Sequence, residues 1–308
     1  MRLRVAVFVL SALALTGCAA RHARTGGESG GASGKASGKA SIVPLEAFIE
    51  KVRQLSLEAR PARKGDAATI ERTDPVLAAA LVLLAAEPTA ANNRRVAEEY
   101  VRVGVTDTAF HYFAVAVSLD PRDAPALDGL ARIWRDWGFP QHGLGPVYRA
   151  ISAAPAAPGP RNTLGTLLLA LGQPTLARAA FERALELAPG AAYALNNLCY
   201  TAVIEGDAGR AIERCRAALQ ADPALRAARN NLALGYAASG DFEAASREFL
   251  AAGDPASERY NMGVALFATR HYEAAAAAFD QAADLRPSLT LARERAKRAR
   301  DLVVAPMQ

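Results

Sequence analysis

Two periods run through the apolar positions of this chain, one nested in the other. Short stretches between residues 90 and 287 carry apolar side chains at the 3.6-residue spacing of amphipathic helices, and the pattern recurs as a unit of 34. Pro121, Pro155, Pro189 and Pro223 stand 34 residues apart. With that proline at the thirty-second position, units begin at Ala90, Ala124, Pro158 and Ala192. The eighth position is always small: Ala97, Ala131, Gly165, Cys199, Ala233 and Gly263. So is the twentieth: Ala109, Gly143, Ala177, Ala211, Ala245 and Ala275. The twenty-fourth is larger and apolar in Phe113, Val147, Phe181, Phe249 and Phe279, with Cys215 the exception. Small residues opposite large ones are what two closely approaching helices need. Gly104, Gly138, Gly172, Gly206 and Gly240 mark the turn between the helices, where glycine tolerates positive φ. The fifth unit, from Arg226, is cut short by Asp254 and Pro255, so its second helix is expected to lose about one turn. The sixth, from Ala256, carries Arg270 in place of the turn glycine.

Thirty-four residues is the tetratricopeptide period, and residues 90–287 resemble six tetratricopeptide (TPR) repeats: 90–123, 124–157, 158–191, 192–225, 226–255 and 256–287. The resemblance implies an all-α fold, a right-handed α-solenoid of antiparallel helix pairs. A single helical hairpin cannot bury its apolar face, so such repeats stack and need caps at both ends. Residues 288–305 read as the C-terminal capping helix. Residues 42–89 read as divergent N-terminal helices, paired in one hairpin. Pro44 to Leu57 places Leu45, Phe48, Ile49, Val52 and Leu55 at helical spacing. Asp74 and Pro75 open a second helix through Ala86 that is almost wholly apolar and therefore expected to be buried.

The first residues bear on compartment. Arg2 and Arg4 precede an apolar run from Val5 to Leu15, too short to span a bilayer but suited to a signal peptide. It ends in Leu15-Thr16-Gly17-Cys18, which resembles the lipobox of bacterial lipoproteins. That resemblance implies a signal peptide over 1–17, lipidation of Cys18 and, since Ala19 follows, the periplasmic face of an outer membrane. Residues 18–41 are rich in Gly, Ser, Ala and Lys and cannot bury enough apolar surface to offset their ordering entropy, so they read as a flexible tether.

Composition narrows the chemistry. Apolar residues make up 51% of the 308, with only 6% aromatic; alanine accounts for much of the rest and suits packed helices. A net charge of +5 is mild for this length and lacks the concentrated basic face that nucleic-acid binding needs. His22, His111, His142 and His271 are the four histidines and none lies in metal-ligand spacing. No metal, cofactor or catalytic constellation is expected, and the chain is read as a binding protein, not an enzyme. Trp134 occupies a packing position, whereas Trp137, near the turn, is read as exposed.

The candidate site is the groove that the first helices of TPR repeats line. Its fifth, sixth, ninth and thirteenth positions hold peptides in other TPR proteins, and here they carry Asn162, Asn196, Asn197, Tyr200, Ile204, Asn230, Asn231, Tyr260 and Asn261. A carboxamide donates and accepts at once, so a row of them can pair with an extended peptide main chain. Equally, sixth-position asparagine can be a structural feature of the family. Arg132 and Arg135, with Arg94 and Arg95, suggest a more basic N-terminal half of the groove. Cys199 and Cys215 lie at similar depth on opposite arms of one hairpin. An oxidising periplasm permits a bridge, and two free buried thiols are the alternative. The implied partner is a protein or extended peptide, with membrane contact only through the lipid. The layout resembles TPR lipoproteins of tight-adherence (Flp) pilus assembly and, more loosely, type IV pilus pilotins. Regulation of a cell-wall enzyme is the alternative function.

Overall fold

The computed structural model describes residues 74–304, and these are helical throughout apart from the turns, with no strand. The signal peptide, Cys18, the tether and the helix expected over 44–57 lie outside the described residues. After α1 (Pro75–Ala86), each repeat contributes two helices: α2 and α3 (Ala90–Arg102, Thr106–Leu119), α4 and α5 (Ala124–Asp136, Pro140–Ala153), α6 and α7 (Pro158–Ala170, Pro174–Leu187). Then come α8 and α9 (Ala192–Glu205, Ala208–Ala221), α10 and α11 (Arg226–Ala238, Phe242–Ala252), α12 and α13 (Pro255–Ala268, Tyr272–Leu285), and last α14 (Thr290–Val304). The first helices of the first five repeats start at the residues the proline spacing gives. The sixth starts one residue earlier because Asp254 caps it, its carboxylate accepting from the Ser257 amide, with Pro255 at the first helical position. That hydrogen bond, with those from the Ser257 hydroxyl and the Arg286 guanidinium at 2.6 Å, holds the Asp254 pKa down at about 2. The shortened repeat shows in α11, with 11 residues where the other five second helices have 14.

The contact that repeats along the solenoid joins the eighth position of the first helix to the twenty-fourth of the second. All of these residues are buried: Ala97, Ala131, Cys199 and Ala233 at 0% exposure on one side, Phe113, Val147, Phe181, Cys215, Phe249 and Phe279 at 0 or 1% on the other. The two glycines are there for space. A methyl group on Gly263 would lie 2.7 Å from Cδ1 of Phe279, and one on Gly165 would run into the ring of Phe181. In the fourth repeat neither a glycine nor a ring is present. Cys199 and Cys215 occupy the same two positions and are joined by a disulfide, with Cα atoms 5.2 Å apart. The turn between the helices is left-handed in every repeat, φ running from 73° to 86° at the five glycines and 65° at Arg270, a side chain in a conformation that L-residues seldom adopt.

Two expectations change. The first concerns α1, which was expected to be buried because nearly all of it is apolar. Leu77 and Ala80 are buried against α2, but Val76, Val82 and Leu83 are 49%, 69% and 44% exposed. Composition counts apolar residues all round the helix, whereas only one face meets a neighbour among the described residues. The second is Trp137, which is half-buried, its ring 4.9 Å from Phe110 and 5.4 Å from Trp134. The turn folds it back onto the aromatic cluster of the first two repeats. At the other end α14 buries Ala292, Ala296 and Ala299 completely, while Lys297, at what would be an eighth position, is exposed. Among the described residues that face of α14 is solvated.

Two outcomes are expected. Gly165→Val should destabilise the protein by about 1–3 kcal/mol, since the added volume must displace the Phe181 ring; chemical denaturation measures it, and Gly145→Val, at a position with open space, is the control. Reduction of the disulfide should cost about 3 kcal/mol, as a 16-residue separation closes a loop of that order. The same reductant should leave the stability of Cys215→Ala unchanged.

Candidate functional site

Curvature follows from which helices touch. First helices of successive repeats contact one another, α4 with α6 and α8 with α10 most closely, while second helices of successive repeats do not do so to any comparable extent. The first helices therefore line the inner surface, and the fifth, sixth, ninth and thirteenth positions face it.

The asparagines do not stand free in this groove. Asn197 donates from Nδ2 to Oδ1 of Asn162 at 2.8 Å, Asn231 to Asn196 at 2.9 Å, and Asn261 to Asn230 at 3.3 Å. Each bond runs from a sixth position to the fifth position of the preceding repeat. The ladder thus ties neighbouring repeats together, the structural role that the sequence left open beside ligand binding. Side chains from different repeats meet because the first helices pack directly on each other. Each bond uses one oxygen and one amide hydrogen. It leaves Oδ1 of the sixth-position residue and Nδ2 of the fifth without a partner in the described structure. Asn231 is itself buried, so its part is structural; Asn162, Asn196, Asn197, Asn230 and Asn261 are half-buried.

Beside the ladder runs an apolar strip. Tyr200 and Ile204 are half-buried, and burial pushes the Tyr200 hydroxyl pKa up. Leu234 and Val264, at the ninth positions of the next two repeats, continue the strip; the same positional pattern that picked out Tyr200 would have found them. Tyr260 lies at its C-terminal end, packed edge-on against Phe279 at 5.6 Å, with the Arg295 guanidinium 5.2 Å above its ring. Burial raises its hydroxyl pKa and Arg295 opposes that.

The N-terminal half is not the basic groove that its arginines suggested. Arg132 pairs with Asp128 at 3.6 Å. Arg135 bonds Asp136 at 2.7 Å and the Thr166 hydroxyl at 2.7 Å. Arg94 pairs with Asp123 at 3.1 Å and Glu98 at 3.5 Å. Each of these three guanidiniums has a carboxylate beside it, so around them the surface carries both signs, while Arg95 is exposed. Asp128 is the residue that sequence reasoning passed over. Its Oδ1 is buried without a hydrogen bond, and burial raises the carboxyl pKa against the opposing pull of Thr163, Arg132 and Arg135.

No group of three or more potential metal ligands exists among the described residues, and none of their helices is long and apolar enough to cross a membrane. The comparisons bear on the repeats. The family model described as "Tetratricopeptide repeat" matches residues 161–190 and 259–289. No curated protein sequence matches significantly. Among solved structures, the chain superposes on the APC/C hetero-tetramer Cut9–Hcn1 with a TM-score of 0.63 and 20% identity over 75% of this chain, spanning 48% of that one, about half its length. It superposes on PilW, titled a widely conserved type IV pilus biogenesis factor, with a TM-score of 0.57 and 20% identity, covering 67% of this chain and 96% of that one. A tetratricopeptide repeat protein from Parabacteroides merdae gives a TM-score of 0.56 and 17% identity, covering 82% and 98%. At such identities the likeness is one of fold. The 34-residue period, the helix pairs, the glycine turns and the two matched repeats agree: the described residues have the fold of a tetratricopeptide-repeat α-solenoid.

Proposed function

We propose that this protein is an interaction scaffold whose inner surface holds an extended segment of a partner protein, and that lipidation of Cys18 keeps it at the periplasmic face of an outer membrane. The ladder carries the first part. Its unpaired carboxamide groups, a donor on Asn162, Asn196 and Asn230 and an acceptor on Asn197 and Asn261, stand beside the strip of Tyr200, Ile204, Leu234 and Val264. A main chain can bond the former while its side chains cover the latter, which gives affinity with little demand on sequence. A place in pilus or secretion-machinery assembly is the more specific form of the proposal. It is supported by the order of lipobox, tether and repeats, and PilW shares the fold.

A photo-crosslinking residue at Tyr200 tests the groove against one at Glu213, exposed on the second helix of the same repeat. The partner should be captured from position 200 and not from 213; equal capture, or capture from 213 alone, would place the contact elsewhere. Asn162→Ala with Asn197→Ala should weaken partner binding by about tenfold or more, since each lost hydrogen bond is worth roughly 0.5–1.5 kcal/mol. Affinity and melting temperature are to be read on the same sample. A fall in melting temperature with affinity unchanged for the folded fraction would leave the ladder a purely structural role.

Cys18→Ala should move the protein from the membrane fraction to the soluble periplasm or leave the precursor uncleaved. Mass spectrometry of the wild type should find acyl chains on the N-terminal cysteine. Retention of the variant in the outer membrane would sink the anchor.

A further inference from the structure

The open face of α1 corresponds to a face that every later repeat covers. Pro88 precedes Pro121 by 33 residues, and that offset places Val76, Leu77, Ala80 and Leu83 of α1 on Ala109, Phe110, Phe113 and Ala116 of α3. In α3 all four are buried, with Ala109 and Ala116 at 0%. Phe110 is covered by the following repeat, through Trp134 and Trp137. In α1 its counterpart Leu77 is likewise covered by the following repeat, through α2. The counterparts of Ala109 and Ala116, however, are Val76 and Leu83, at 49% and 44% exposure, with Val82 next to them at 69%. Leu77 and Ala80 are covered, Ala80 at the position from which Phe113 also meets Gly129 of the following repeat, and Val76 and Leu83 are open. α1 is thus the second helix of a repeat whose first helix is not among the described residues.

We propose that residues 44–57 of the same chain are that first helix, docked on Val76 and Leu83. Leu45, Phe48, Ile49, Val52 and Leu55 form one apolar stripe at helical spacing over 14 residues, and the first helices of the six repeats have 13 or 14. Pro44 stands where Pro158 and Pro255 open α6 and α12. The connection is long where the other repeats use a short turn, but it reaches easily. The 16 residues 58–73 extend up to about 50 Å against a helix of about 21 Å. Docking caps the N-terminal end as α14 caps the other. On the anchoring proposed above, it also shortens the free chain between membrane and solenoid to residues 19–43, with an r.m.s. reach of about 25–30 Å.

Hydrogen exchange on the full-length chain in detergent tests this. Amides of residues 44–57 should exchange about a hundredfold or more slower than in an unstructured peptide, because they open only with the end of the solenoid. Phe48→Asp with Ile49→Asp should abolish that protection and speed exchange in α1 by about tenfold, leaving α6 to α13 unchanged. Phe48→Ala and Leu83→Ala should be non-additive in melting temperature, the pair costing less than the sum of the two. Exchange of residues 44–57 at the unstructured rate in the wild type overturns the proposal. So does α1 protection that rises with protein concentration alongside a dimer in sedimentation, for then a second copy covers the face.

Discussion

Everything in this solenoid depends on how closely two helices of one repeat can approach, and one small-to-large contact sets that distance. The eighth position is Ala, Gly or Cys, and the twenty-fourth is a ring, a valine or a cysteine. Phe181 and Phe279 meet glycines, where an added Cβ would collide with the ring, while Phe113 and Phe249 meet alanines. In the fourth repeat, where both sides are small, two sulfur atoms close the gap covalently. The disulfide is in this sense a packing solution as much as a cross-link: two alanines at the same positions would leave the lining without contact atoms.

The inner surface inherits its character from that packing. Because first helices of successive repeats lie against one another, their fifth and sixth positions are close enough for carboxamides to bond across the repeat boundary. The same closeness lets Arg135 reach Thr166 in the next repeat. Polar side chains on the groove floor therefore serve cohesion first, and only their unused donors and acceptors remain for a ligand. Asp128, half-buried, keeps one oxygen buried and unbonded.

The ends follow a different logic from the middle. A repeat in the stack is covered on both sides by neighbours with the same pattern, so its sequence need only satisfy the period. A terminal helix has one such neighbour and must meet water or a different element on the other side. α14 meets water, with arginines and Lys297 outward and three alanines inward. α1 keeps valine and leucine on its outer side, the face on which the helix proposed above would dock.

What the sequence determined by itself was periodic and local. Helix starts at Ala90, Ala124, Pro158, Ala192 and Arg226, the glycine turns, the short α11 and the residues of the inner contact were all legible, because helical periodicity, capping and φ preferences act within a few residues and the 34-residue unit repeats them. What the tertiary structure decided was which side chain meets which across a repeat boundary. The asparagine row looked the same whether its groups faced a ligand or each other. Arg94 and Arg135 looked unengaged because their partners, Asp123 capping α4 and Thr166 in α6, belong to the first helix of the following repeat. The apolar composition of α1 could not say how many of its faces have neighbours. These are distances between residues roughly thirty positions apart in the chain, set by how one repeat stacks on the next, and hydrogen bonds and ion pairs are too short-ranged to be fixed before that stacking is.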